Sequence, residues 1–116
     1  MHELGIVIHV AKTLNEIADE NHLTRIGSVT LEVGEVSGII TDYFVDCWNY
    51  FKVRYPLLKD CEMKLEMIKG INYCEDCRHE YRAIQYGRIC PYCNSEHTYL
   101  LRGNECNIKQ IEAEDQ

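Results

Sequence analysis

Two short stretches constrain this chain more than any others: Cys74-Glu75-Asp76-Cys77 and Cys90-Pro91-Tyr92-Cys93. A Cys-x-x-Cys turn aims two sulfurs at one point. Two such turns supply four thiolates in a tetrahedron, the arrangement that Zn(II) accepts most readily. The 12 residues between the pairs, 78–89, are fewer than the roughly 15–20 of the usual ribbon. They are still enough for a hairpin that closes on the ion, with Gly87 supplying a tight turn before the second pair. Residues 71–105 hold both pairs and few aliphatic side chains. They cannot build a core alone, so metal binding and folding become one equilibrium. Dithiol redox chemistry and paired disulfides are the competing readings. No thioredoxin-type β-α-β pattern surrounds the pairs, and no leader segment marks the chain as secreted. Structural zinc is therefore favoured, with iron–sulfur ligation as the alternative that four cysteines leave open. A four-sulfur zinc site has no open position for water or substrate, so function must lie elsewhere.

Outside that region the patterning is ordinary for a small globular protein of 116 residues. Val7, Val10, Ala11, Leu14, Ile17 and Ala18 recur at helical spacing, and Asn21-His22 marks the end. Val29, Leu31 and Val33 alternate with Thr30 and Glu32, as a half-buried strand requires. Gly34-Glu35-Val36-Ser37-Gly38 is a turn-rich break. Thr41 or Asp42 is placed to cap a second helix, whose stripe is Phe44, Cys47, Trp48 and Phe51 and which Pro56 ends. Met63, Leu65 and Met67 form another alternating strand, and Cys106–Ala113 reads as a third, with a bulge allowed between Ile108 and Ile111. The expected architecture is α+β: a small three-stranded sheet with two helices, plus an inserted zinc-ribbon-like module. Residues 1–69 and 107–116 form the α/β domain and 70–106 the module. Cys47 and Trp48 are expected in the core. Cys61 shows no pairing signal, and Cys106 reads as a small buried residue.

The formal charge of −7 disfavours nucleic acid as a partner, because phosphate binding needs clustered Lys and Arg. Four thiolates and one zinc ion would take it to about −9. Arg78, Arg82 and Arg88 flank the cysteines and can soften that local anion. No apolar run approaches the roughly 18 residues of a membrane span, and a cytoplasmic protein is expected. There is no nucleophile elbow, phosphate-binding glycine loop or carboxylate pair, hence no sign of an enzyme.

The chain opens Met1-His2-Glu3-Leu4. The terminal amine, the His2 imidazole and the intervening amide nitrogens, including that of Glu3, can meet one ion in a plane. Square-planar nitrogen coordination selects Ni(II) or Cu(II). A chance histidine and a first-turn acid favouring the helix dipole are the plain alternatives.

Met1-His2-Glu3-Leu4, then Gly34-Glu35-Val36-Ser37-Gly38, the two cysteine pairs and a Gly103-x-Glu105 that begins the last strand occur in an order that resembles the HypA/HybF family of hydrogenase-maturation nickel metallochaperones. The resemblance spans essentially the whole chain. It implies a protein that carries Ni(II) for [NiFe]-hydrogenase assembly, and in some organisms for urease. It further implies nickel ligation by His2 with Met1 and Glu3 beside it, Zn(II) on Cys74, Cys77, Cys90 and Cys93, and two partners, the maturation GTPase HypB and the hydrogenase large-subunit precursor. A monomer or homodimer is expected. His79 and His97, close behind the pairs, are accessory candidates that could enter either metal site; as plain loop residues they would be solvated or donate to the sulfurs. The family's last strand often carries an aliphatic residue where Cys106 stands. The competing function is a zinc-ribbon adaptor for nucleic acid or a protein, supported only by the basic residues at 78, 82, 88 and 102.

Nickel ligands must be unprotonated, and the reference values are about 6.5 for histidine and about 7.7–8.0 for the amine. Nickel affinity, followed by absorbance titration, should therefore fall as pH drops from about 8 to about 6; a flat profile would remove the amine–imidazole chelate.

Overall fold

The computed structural model describes residues 3–115 and the backbone alone at Asp115. Helix α1 runs Glu3–Asn21 and buries Val7, Val10, Ala11, Leu14 and Ala18, the three-and-four spacing of one helix face. His22 ends it at φ 57°, the left-handed position usually given to Gly or Asn. Strand β1, Leu23–Gly34, buries Ile26, Val29, Leu31 and Val33. It begins earlier than its alternation suggests. Helix α2, Thr41–Phe51, buries Phe44, Cys47, Trp48 and Phe51, and two short 3-10 turns follow over Lys52–Arg54 and Pro56–Leu58.

Neither Thr41 nor Asp42 caps α2. The helix starts at Thr41 after an extended Ile40, with no side-chain cap from its own sequence. A distant carboxylate stands in: Ile40 N–H donates to Glu3 Oε2 at 3.0 Å. An anion there also suits the positive end of the helix dipole.

The remaining elements are β2 Glu62–Ile68, β3 Ile71–Cys74, β4 Glu80–Arg82, the single turn α3 Ala83–Tyr86, β5 Thr98–Arg102 and β6 Cys106–Asp115. They form two three-stranded sheets, ordered β2-β1-β6 and β4-β3-β5. The α+β expectation of one small sheet with two helices and a cysteine-bearing insert is met. Gly103-Asn104-Glu105 precedes β6 rather than opening it.

Two compact units result. The first comprises Met1–Leu31, Ile39–Glu66 and Asn107–Gln116; the second comprises Glu32–Gly38 and Met67–Cys106. The first has an aliphatic and aromatic core from α1, β1 and α2. Trp48 is fully buried, and its Nε1 donates to the Cys61 carbonyl at 2.8 Å, which also receives Lys52 Nζ at 3.1 Å. Burial pushes the Cys61 thiol up to about 11, so it stays a neutral apolar group. Ion pairs Lys64–Glu112 (3.0 Å) and Lys109–Glu66 (2.7 Å) join the outer strands across β1. Ser28 of β1 donates to Glu112 as well, at 2.9 Å.

In the second unit three glycines meet. A Cβ on Gly34 would lie 1.9 Å from the Gly103 carbonyl oxygen, and one on Gly103 (φ 118°) would lie 2.4 Å from Gly70 Cα. That approach lets Gly34 N–H donate to the Glu105 carbonyl (2.8 Å), Glu35 N–H to Ile68 (2.8 Å) and Val36 N–H to Gly103 (2.7 Å). A Cβ on Gly27 meets only an ordinary contact at 3.7 Å. Thermal unfolding should therefore show Gly34→Ala costing about 3 kcal/mol or more, the upper end of overpacking penalties, while Gly27→Ala is neutral or slightly stabilising. Equal behaviour of the two variants would contradict the close glycine approach.

Candidate metal centre

Both cysteine pairs fold into the same turn. Arg78 N–H donates to the Cys74 carbonyl at 2.8 Å, and Asn94 N–H donates to the Cys90 carbonyl at 2.8 Å. Cys74 N–H reaches the His79 carbonyl and Cys90 N–H the Ser95 carbonyl, each at 3.0 Å. The residue after each pair is left-handed: Arg78 at φ 64° and Asn94 at φ 61°. Sequence spacing makes the repeat visible, but the left-handed positions carry no glycine to announce them.

The two turns face each other. The sulfurs of Cys74, Cys77, Cys90 and Cys93 lie within 4.8 Å of one another, with 3.6 Å between Cys74 and Cys93 and 3.5 Å between Cys77 and Cys90. Four sulfurs about 2.3 Å from a common tetrahedral ion would stand about 3.8 Å apart, so the cluster is compatible with zinc. Cys74 and Cys90 are fully buried; Cys93 is exposed.

Backbone amides aim at the sulfurs. The N–H groups of Cys77 and Asp76, helped by neighbouring thiols, bring Cys74 down to about 7 against the opposition of burial. Tyr92 N–H lies 3.4 Å from Cys90 Sγ. The Ser95 amide pulls Cys93 down, but burial and its three thiol neighbours outweigh it and hold Cys93 at about 12. Cys77 is likewise raised, the His79 amide being outweighed by burial and Cys90. The physical content is plain: the amides favour thiolates, yet thiols this close cannot all ionise without a cation among them. A divalent ion removes that conflict.

Asp76 of the first turn ties down the second. Its carboxylate accepts from the Ser95 hydroxyl and faces His97 Nδ1 at 3.0 Å, while His97 N–H donates to Ser95 Oγ at 3.0 Å. Ser95 and then His97 lower the Asp76 carboxyl below its ordinary value. Of the two accessory candidates, His97 thus faces a carboxylate and is largely exposed. His79 Nδ1 lies 3.3 Å from Cys77 Sγ, and its ring stacks on Tyr92 at 4.3 Å. Beneath the cluster, Tyr81 packs with Cys74 and Cys90. Its hydroxyl and the buried Asn72 amide both donate to the Gly87 carbonyl, at 2.9 and 2.8 Å. This Asp76–Ser95 brace and Asn72–Gly87 tie have no periodic or spacing signal in the sequence.

Two of the basic residues near the cysteines have carboxylate partners. Arg82 pairs with Glu35 (2.9 Å), and Arg102 reaches Glu80 at 3.4 Å. Among the nickel candidates, Met1 and His2 lie outside the described residues. Glu3 is buried, with its carboxylate at the Ile40 amide.

The family model described as hydrogenase/urease nickel incorporation, metallochaperone, hypA matches residues 1–113. The chain belongs to the HypA/HybF family. It is 27% identical over 114 residues to the hydrogenase maturation factor HybF of Klebsiella pneumoniae, covering 98% of this chain and all of that protein. It is 31% identical over 115 residues to the hydrogenase maturation factor HypA of Trichodesmium erythraeum, covering 99% and 97%. Its fold superposes on the solution structure of the Ni metallochaperone HypA from Helicobacter pylori with a TM-score of 0.75, at 27% identity and full coverage of both chains. Membership of HypA/HybF places this chain in a family of nickel-incorporation maturation factors, with a four-cysteine cluster compatible with zinc.

A left-handed residue with a Cβ costs about 1–2 kcal/mol. Zinc release to a chromophoric chelator should stay slow in Arg78→Gly and quicken in Arg78→Val, whose branched Cβ suits that conformation worst. Slower release from the valine variant than from the wild type would contradict the turn geometry.

Proposed function

We propose that this chain carries one Ni(II) at Met1, His2 and Glu3 and delivers it to the large-subunit precursor of a [NiFe]-hydrogenase in the cytoplasm, with urease as a further recipient. The observation that carries the reading is the family match from residue 1 to residue 113, which takes in the His2 opening as well as all four paired cysteines. Nickel is cargo here. Four nitrogens in a plane (the terminal amine, two amides and the imidazole) hold it firmly while unprotonated and release it as those groups regain protons. Glu3 contributes through its amide, because its carboxylate is engaged at Ile40.

Zn(II) on Cys74, Cys77, Cys90 and Cys93 keeps residues 70–106 folded as the module borne by the nickel-carrying remainder of the chain. With no open position on that ion, the module offers shape rather than catalysis. Nucleotide hydrolysis falls to the partner GTPase HypB, which docks on a monomer or homodimer of this chain. Among the described residues no helix is long and apolar enough to cross a membrane.

Placing one residue before Met1, or making His2→Ala, should abolish stoichiometric nickel binding while zinc content and helical circular dichroism persist. Unaltered nickel titration in both variants would refute delivery from the N-terminus. Release of nickel with loss of zinc would instead assign the cargo to the sulfurs.

A further inference from the structure

The Gly34–Gly38 turn stands out in the sequence, yet neither metal reading uses it. Its one acidic side chain has an unusual pair of partners. Glu35 Oε2 accepts the Gly70 N–H at 2.7 Å, and both carboxylate oxygens lie within reach of Arg82 Nη2, at 2.9 and 3.1 Å. Gly70 is the residue before β3, and Arg82 is the last residue of β4. These strands pair antiparallel in the register Ile71↔Arg82, Asn72↔Tyr81 and Tyr73↔Glu80. Glu35 therefore grips both legs of one hairpin at its open end, where Ala83 N–H also donates to the Gly70 carbonyl at 2.9 Å. The closed end of that hairpin is the Cys74–Cys77 turn.

An isolated two-stranded hairpin is marginal in water, and this one has little aliphatic surface. Its register is fixed at the far end by the cysteine cluster, on which Tyr81 packs immediately before Arg82. A carboxylate can bind an amide and a guanidinium together only if both are already held at the right separation. When register is lost, ordering two independent groups around one anion costs far more conformational entropy. The Gly70 amide, then Arg82, already hold the Glu35 carboxyl below its ordinary value against the opposition of burial, so it is ionised and available at neutral pH.

We infer that Glu35 is the clasp through which metal loading of the cysteine cluster sets the order of residues 32–38. The inference rests on the zinc reading above. With the ion bound, the hairpin presents Gly70 and Arg82 as one receptor, and Glu35 closes on it. Gly34, Glu35 and Val36 then keep their amide bonds to Glu105, Ile68 and Gly103. With the ion removed, the receptor splits and this segment loses its hold. Such coupling is reciprocal in binding free energy: the clasp must tighten zinc binding by the same factor by which zinc tightens the clasp.

Three measurements on the full chain test this. Metal analysis of wild type and of Cys74→Ser first establishes zinc on the cluster; zinc-free wild type overturns the zinc reading and the clasp together. Hydrogen exchange of zinc-loaded wild type should show slow amides at 34–36 that become fast when a chelator strips the metal. Zinc affinity, measured by equilibrium competition with a chromophoric chelator, should be about fivefold weaker or more in Glu35→Gln, the lower bound of ordinary coupling. Arg82→Gln should behave alike, and the double variant should bind zinc no more weakly than either single one. Bound zinc with unchanged exchange at 34–36 after stripping, or wild-type zinc affinity in both variants, overturns the clasp and leaves the zinc site standing.

Discussion

Four sulfurs crowded within 4.8 Å cannot share their negative charge in the absence of a cation. Backbone amides from Asp76, Cys77, His79 and Ser95 all favour the thiolate forms, but mutual repulsion and burial oppose them. A divalent ion reverses the sign of the repulsive term while leaving the amides in place. The second unit depends on that reversal. Its buried apolar cluster is small, comprising Cys74, Cys90 and Tyr81 with Cys77 against it, and three of the four are cysteines of the four-sulfur group, Cys74 and Cys90 being held fully from solvent. Metal coordination takes the place that aliphatic packing holds in a larger domain.

The first unit solves the same problem by ordinary means. Val7, Val10, Ala11 and Leu14 from α1, Ile26, Val29 and Leu31 from β1, and Phe44 and Trp48 from α2 are all buried. No ionised group is needed at its centre, and Cys61 is kept protonated there by burial. Glu3 is the exception in charge, buried at the start of one helix to serve the start of another.

The legible parts of the chain were those with local periodicity. Leu14 and its neighbours announce α1, the Phe44–Phe51 stripe announces α2, and the paired cysteines announce a four-sulfur centre. The illegible parts were bonds between residues far apart in sequence. Thr41 looks like a cap, but the acceptor comes from Glu3, whose identity as a capping group depends on tertiary structure. Strand β1 starts at Leu23 rather than Val29, because Thr24, Arg25 and Gly27 interrupt alternation without interrupting pairing. Glu35 reads as a turn residue; its partners at 70 and 82 lie beyond any local pattern. The family resemblance carried the opening residues and the glycine motifs further than spacing alone could.

The meeting of Gly34, Gly70 and Gly103 has an evolutionary corollary. A methyl group on Gly34 would run into the Gly103 backbone and one on Gly103 into the Gly70 backbone, whereas one on Gly70 meets the Val36 side chain. Gly34 and Gly103 should remain glycine together in any descendant that retains this crossing, while position 70 is held only through a side chain that can give way. A lineage that loses Gly34 or Gly103 would have rebuilt the crossing altogether.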